Sequence, residues 1–299
     1  MKVFIIGASG YIGGSVAAGL IAKGHDVLGL VRSPDRADQV RALGIEPLLG
    51  DLDSADVLTA GAQQADAVIN AASAEHKASV DTLLAALAGS RKTLIQTGGS
   101  SIIADLSEGH GNGTIYDEDT PFTPLPGRAT RVAIGQQVLE AADQHIRTLV
   151  IAPTLIYGHG SGVNPDSIQI PWLIDLAKKH GCARHIGPGE NVWANVHIDD
   201  LVDLYLLALE KAPAGAFYYA ENGENSMREV CQVINEVYGL AGPPQSMTIA
   251  EAAEIWGDGA ANYTMGSNSR ARAKRARAEL GWAPHRPSLI DVLRSSAAT

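Results

Sequence analysis

Apolar residues in the first half of the chain follow two alternating patterns. Short runs at 2-6, 26-31, 45-49, 66-70, 92-97 and 147-152 are apolar at most positions, as expected of strands buried on both faces. Between most of them lie segments of helical length at 11-23, 34-43, 54-62, 75-90 and 128-145. The alternation predicts an α/β protein built on a doubly wound parallel sheet with helices on both faces. It breaks at 98-127, a stretch rich in Gly and Pro that includes Gly98, Gly99, Pro121, Pro124 and Pro126, and a loop of that length is usually functional or disordered. After residue 155 the pattern loosens. Helices are predicted at 168-180, 199-210, 226-238, 249-256 and 270-280, separated by Gly187-Pro188-Gly189 and Gly242-Pro243-Pro244.

The first strand runs directly into Gly7-Ala8-Ser9-Gly10-Tyr11-Ile12-Gly13, which opens the first helix. This is GxxGxxG, a variant of the dinucleotide fingerprint: glycines permit a tight turn and close backbone approach, and free N–H groups at the helix start attract a pyrophosphate. In this strand and helix context it makes the sheet Rossmann-type. The end of the second strand reads Leu30-Val31-Arg32-Ser33-Pro34-Asp35-Arg36 and lacks the acid that would accept from a ribose 2′-OH. Arg32, Ser33 and Arg36 instead suit a 2′-phosphate, so NADP is predicted over NAD. At the third strand end, Asp51, followed by Leu52, either reaches the adenine edge or caps a helix. At the fourth, Ala71, Ala72 and Ser73 are small enough for a cofactor to lie along the backbone.

Charge and cysteine content narrow the partners. Twenty-three Lys and Arg against 33 Asp and Glu give a net charge of −10, which disfavours nucleic acid or an anionic membrane and favours a small-molecule substrate. Five cations between Arg270 and Arg277 read as a solvated helix face in preference to a nucleic-acid patch. Two cysteines without a CxxC spacing indicate neither a disulfide framework nor a zinc site, and no histidine pattern has metal-ligand spacing. With no run approaching the ~20 apolar residues of a membrane span, and an N-terminal apolar run too short for a signal-peptide core, a soluble cytoplasmic protein is expected.

Taken together, these motifs resemble the extended short-chain dehydrogenase/reductase superfamily, in its NAD-dependent epimerase/dehydratase-like branch. Further marks are Gly50-Asp51-Leu52, Asn70-Ala71-Ala72, Pro153-Thr154-Leu155-Ile156-Tyr157-Gly158, Asn195-Val196-His197-Ile198-Asp199-Asp200 and Glu279-Leu280-Gly281-Trp282-Ala283-Pro284. The resemblance covers nearly the whole chain. It implies a nucleotide-binding domain over 1-155, with 195-222 returning to the sheet, and a substrate-binding lobe from 156-194 and 223-299. It also places Pro153 at the cofactor, and implies a homodimer paired through the helices matching 75-90 and 128-145.

The family's chemistry needs a Tyr four residues before a Lys on one helix, so that the Lys lowers the phenol pKa. Here Gly127 stands at the Tyr position and Arg131 at the Lys position, and none of the eight tyrosines has a Lys four residues on. The chain is therefore expected to be an atypical member. Arg131 is either a donor to the nicotinamide ribose or a solvated residue; a guanidinium keeps its proton at neutral pH and cannot replace the phenol. Ser100 is the candidate for the hydroxyl that polarises a substrate carbonyl, with a turn hydroxyl as the alternative. Tyr157, Tyr116 and water are the candidate proton sources, His197 reads as structural, and Trp172 and Trp193 flank the expected substrate region. The leading expectation is hydride transfer between NADPH and a carbonyl or related group of a small molecule. A non-catalytic NADP(H) sensor and a nucleotide-sugar epimerase or dehydratase are the alternatives.

Overall fold

A computed structural model of the chain describes residues 1–111 and 113–296. Among the described residues, twelve strands run in chain order: β1 Lys2–Ile6, β2 Asp26–Val31, β3 Glu46–Leu49, β4 Ala67–Asn70, β5 Thr93–Thr97, β6 Arg147–Pro153, β7 Leu155–Tyr157, β8 Arg184–Ile186, β9 Val192–His197, β10 Ala216–Ala220, β11 Glu224–Ser226 and β12 Gln245–Met247. The helices are α1 Tyr11–Ala22, α2 Pro34–Ala42, α3 Ala55–Gln64, α4 Lys77–Leu87, α5 Ala129–Glu140, α6 Gln169–His180, α7 Ile198–Lys211, α8 Met227–Val237, α9 Ile249–Trp256, α10 Asp258–Ala260, α11 Lys274–Leu280 and α12 Leu289–Ser296.

Seven strands form one parallel sheet in the order β3-β2-β1-β4-β5-β6-β10, a Rossmann arrangement in which the order of strand addition switches side between β1 and β4. Side-chain alternation explains why its strands read as continuous apolar runs. Val3 and Ile5 join Val16 and Leu20 of α1 and Leu201, Leu204 and Tyr205 of α7 on one face. Phe4 and Ile6 join Leu58 of α3, Leu83 of α4 and Val138 of α5 on the other. Both faces are buried, so both register positions of β1 are apolar.

Within 195-222, β10 is the sheet's edge strand and α7 packs on α1, whereas β9 lies between β7 and β11 in a separate small sheet. A second core gathers Leu173 and Leu176 of α6, Trp193 of β9, Val230 and Ile234 of α8, Met265, and Leu289 and Leu293 of α12. The segment after α11 is tied back to α7. The Trp282 indole donates to the Asp200 carbonyl at 2.8 Å, and the buried Asp200 carboxylate accepts the main-chain N–H of His285 at 2.9 Å and of Arg286 at 3.1 Å. Asp200, Asp203 and His285 bring ligand-type atoms within 4.8 Å of one another, but those backbone bonds already give Asp200 a structural task.

The predicted helix at 270-280 is corrected to 274–280. Residues 269 and 271 instead form bridges to Trp193 and Tyr116, and the basic run is a partly exposed surface whose cations are ion-paired. Arg270 and Arg272 meet Glu224 at 2.6 and 3.1 Å, Lys274 and Arg275 meet Asp119 at 2.6 and 2.5 Å, and Arg277 meets Glu221 at 2.7 Å. Sequence-distant carboxylates draw the segment across the long loop and the β10–β11 turn.

Hydrogen bonds from Arg270 and then Arg272 hold the Glu224 carboxylate down at about 2, against an ordinary value of 4.5. A depressed acid contributes its stability fully above its unfolded value and loses it as pH falls through the folded one. Glu224→Gln should lower stability at pH 7 by roughly 1 kcal/mol, as for a partly exposed ion-pair network. In chemical denaturation the gap to the parent should close between pH 4.5 and about 2; a gap independent of pH in that window contradicts this assignment.

Candidate functional site

At the C-terminal end of β1 the chain turns sharply: Gly7 adopts φ +91° and the Gly10 N–H donates to the Gly7 carbonyl at 2.9 Å. A Cβ on Gly7 would lie 3.0 Å from main-chain atoms of Ala71 and Ala72, and one on Gly13 would lie 2.2 Å from the Gly7 oxygen. Only glycines let β1, α1 and the β4 end approach this closely. Gly10 caps α1 without a side-chain acceptor, and no acid stands in the first turn, so the helix presents unsatisfied N–H groups to the groove.

That groove, a cavity of about 360 Å³, is lined by Gly7, Ser9, Gly10, Arg32, Arg36, Asp51, Leu52, Ala71 and Ala72. Ser33 is the N-cap of α2, its hydroxyl accepting the Arg36 N–H at 3.3 Å, and Arg36 donates to Gln39 at 2.9 Å. Asp51 accepts from the Ser54 hydroxyl at 2.6 Å and the Asp53 N–H at 3.0 Å; the Ser54 bond leads in lowering its pKa. The β4 end is held from below. The Asn70 amide donates to Gln96, and Gln96 donates to the carbonyl of Ser73, whose side chain does not line the groove.

Ala71 and Asn164 also line a second cavity of about 350 Å³, so the two adjoin. Its walls include Tyr11, Ile12, Gly98 to Ser101, Arg131, Pro153, Thr154 and Trp193. Arg131 donates to the Ser101 hydroxyl at 2.7 Å and pairs with Glu75 at 3.0 Å, so it is not a solvated helix residue. Ser100 also lines this cavity, but it is buried with its hydroxyl 2.9 Å from that of Ser269; Ser101 carries the hydroxyl beside Arg131.

Tyr157 lies elsewhere. Its hydroxyl donates to the Pro287 carbonyl at 2.9 Å inside the second core, burial pushes its pKa up, and it lines neither cavity, which removes it as a proton source for this groove. Pro153 and Thr154 of the same run do reach the groove. Tyr116 sits in the bridge to Ala271 with its ring against Phe122. His197 caps α7, accepting the Asp199 N–H at 3.1 Å. Trp193 reaches the cavity, whereas Trp172 stacks on Trp256.

The residues that close the groove were not anticipated. Asn164, Asp166, Ser167 and Ile168 line it from the segment between β7 and α6, with Gln169 at the start of α6. That segment lies so close to α1 that a Cβ on Gly14 would stand 2.8 Å from Gly162 Cα, and one on Gly160 2.7 Å from the Ser15 hydroxyl. The signal was Gly158, Gly160 and Gly162 at alternate positions, together with a fourth glycine, Gly14, after the fingerprint.

Residues 3–219 match the NAD dependent epimerase/dehydratase family. The chain belongs to that family. An uncharacterised protein of Schizosaccharomyces pombe is 32% identical, with 99% of each chain covered. A 4-hydroxy-2-methyl-3-oxo-4-farnesyl-3,4-dihydroquinoline-1-oxide ketoreductase of Stigmatella aurantiaca is 29% identical, covering 80% of this chain and 74% of that protein. Among solved structures, a dTDP-glucose 4,6-dehydratase of Bacillus anthracis in complex with NAD superposes with a TM-score of 0.77 at 16% identity, over 100% of this chain and 96% of that one. At family level the protein is an NAD(P)-dependent enzyme of the oxidoreductase and epimerase group. Among the described residues, no helix is long and apolar enough to cross a membrane.

The groove fits the cofactor the family implies, because the glycine cradle and the uncapped α1 N-terminus leave donors and space where a pyrophosphate needs both. Gly13→Ala forces a Cβ onto the Gly7 oxygen and should cost roughly 1–3 kcal/mol of stability, as overpacking does. Calorimetric titration should show dinucleotide affinity falling at least ~10-fold, about 1.4 kcal/mol. Parental affinity in this variant contradicts the cradle.

Proposed function

We propose that this protein is an NADP-dependent reductase that transfers a hydride to a carbonyl group of a small molecule. The reading is carried by one observation: two adjoining cavities, one lined by Arg32 and Arg36 with no acid at the end of β2, the other by Ser101 and Arg131. The bound dinucleotide supplies the hydride. The α1 N–H groups hold its pyrophosphate, Arg32 and Arg36 meet the 2′-phosphate by charge-assisted bonds, and Asp51 and Leu52 border the adenine. Arg131, permanently protonated, orients the nicotinamide ribose and the Ser101 hydroxyl. The Ser101 oxygen already accepts from Arg131, which leaves its proton for a substrate carbonyl. Ile156, Ile168 and Trp193 make the substrate end partly apolar, in keeping with a ketoreductase relative named for a farnesyl-bearing quinoline.

A second reading, an NADP(H) sensor without chemistry, is favoured by Gly127 at the phenol position of α5. Screening a panel of β-keto esters, cyclic ketones and quinones for NADPH oxidation separates the two. Turnover supports the reductase; tight NADPH binding with no turnover supports the sensor.

Replacing both Arg32 and Arg36 by Ala should weaken NADPH binding about 10- to 100-fold, since hydrogen bonds between charged groups contribute roughly 1.5–3 kcal/mol. NADH binding should stay within about twofold, well under 1 kcal/mol. If the parent protein binds NADPH and NADH equally, the NADP assignment is wrong.

A further inference from the structure

We propose that a third cavity, of about 470 Å³ between α5 and the edge of the sheet, holds the hydrocarbon chain of the carbonyl substrate. The inference rests on the reductase reading above and deepens it by naming the class of ketone: one that carries a long apolar chain.

The floor of this slot is sheet. Val150 and Ala152 of β6 stand in register with Phe217 and Tyr219 of β10, and strand alternation puts all four on one face. Phe217 and Tyr219 meet edge to face, with centroids 4.9 Å apart. One wall is α5, whose Val132, Gly135 and Leu139 follow the i, i+3, i+7 spacing and share one side of the helix. The roof is residues 117–122 of the long loop. Glu118 pins that loop to β10 and α11, accepting the main-chain N–H of Tyr219 at 3.1 Å and those of Lys274 and Arg275 at 3.1 and 3.2 Å.

Three features suit an apolar guest. Phe122, Val132, Leu139 and Phe217 line the slot and stay only partly buried, so an occupant would complete their removal from water. The charged side chains on its walls already have partners. Asp119 pairs with Lys274 and Arg275 at 2.6 and 2.5 Å, Asp117 with Lys274 at 3.6 Å, and Arg131 with Glu75 at 3.0 Å, which leaves no free charge for an ionic ligand. Gly135 stands in the interior of α5, where glycine is less stable than alanine. A Cβ there would meet nothing within 4 Å, so this position keeps open a space that packing does not use.

The slot adjoins the reactive end. Gly98, Gly99 and Arg131 line both this cavity and the one that holds Ser101. Arg131 donates to the Ser101 hydroxyl itself at 2.7 Å, so a carbonyl held by that hydroxyl lies at the boundary between the two. Gly98 and Gly99 place no side chain there, and an apolar substituent of the ketone can pass along them into the slot.

The test uses β-keto esters with methyl, butyl and octyl chains on the ketone. Their kcat/KM is measured with NADPH and, without turnover, their affinity by calorimetric titration with NADP⁺ present. Each early methylene should raise both about two- to fourfold as it is buried, so that octyl leads methyl by roughly 100-fold. Gly135→Leu puts a side chain into the open space, and the octyl-to-methyl ratio should fall at least ~10-fold. Its melting temperature should hold or rise, because a helix-favouring residue replaces glycine. Gly135→Ala adds a single methyl and should keep both the melting temperature and most of the ratio. Octanol should compete with the octyl ester. Equal methyl and octyl values in the parent, an octyl preference unchanged in folded Gly135→Leu, or octanol that binds without displacing the octyl ester each overturns the assignment and leaves the reductase reading standing. A gain in affinity with chain length but no turnover of any ester keeps the slot and overturns the reductase.

Discussion

Main-chain atoms of three sequence-distant segments meet at the end of β1, and their approach tolerates no side chain. Gly7 lies against Ala71 and Ala72, Gly13 against Gly7, and Gly14 against Gly162. The contact sets how far α1 stands from the sheet and where its N–H groups point. It also sets how closely the 158–168 segment covers the groove. Because the order of strand addition switches side between β1 and β4, the strand ends splay there and leave room for a ligand along the glycines. The fold and the site therefore share one constraint: backbone packed on backbone at the turn where a phosphate is expected.

Electrostatics then divides the molecule. In a chain with a net charge of −10, the cations of 270–277 are used internally, each set against Glu221, Glu224 or the acids of the long loop. Arg32 and Arg36 sit on the groove wall instead, where a phosphate would satisfy them. Arg128 and Arg131 form a third group, half-buried, with one shared carboxylate.

The sheet was legible in the sequence because burial on both faces makes its strands nearly continuous apolar runs, as in Val3-Phe4-Ile5-Ile6. The phosphate end was legible because a tight turn demands glycine at fixed spacing. The reactive end was not, because its members come from segments without periodicity. Asn164 and Asp166 lie in the loop between β7 and α6. Arg270 and Arg272 were read as helical because their composition suits a helix, while the carboxylate that pulls them into extended backbone is Glu224, 46 and 48 positions away. Tyr157 follows Pro153 and Thr154 by a few residues, yet its side chain turns into the second core, a direction that sequence does not carry.

The central claim is that the two adjoining cavities form one dinucleotide groove ordered by charge, with the phosphorylated adenosine at Arg32 and the reactive ring at Arg131. A crystal structure of the protein with NADP⁺ bound tests it most directly. The account predicts the 2′-phosphate within hydrogen-bond distance of Arg32 or Arg36, the pyrophosphate over Gly10 and Tyr11, and the nicotinamide beside Ser101 and Arg131. A dinucleotide lying in the opposite direction, or one whose nicotinamide leaves the second cavity vacant, would contradict it.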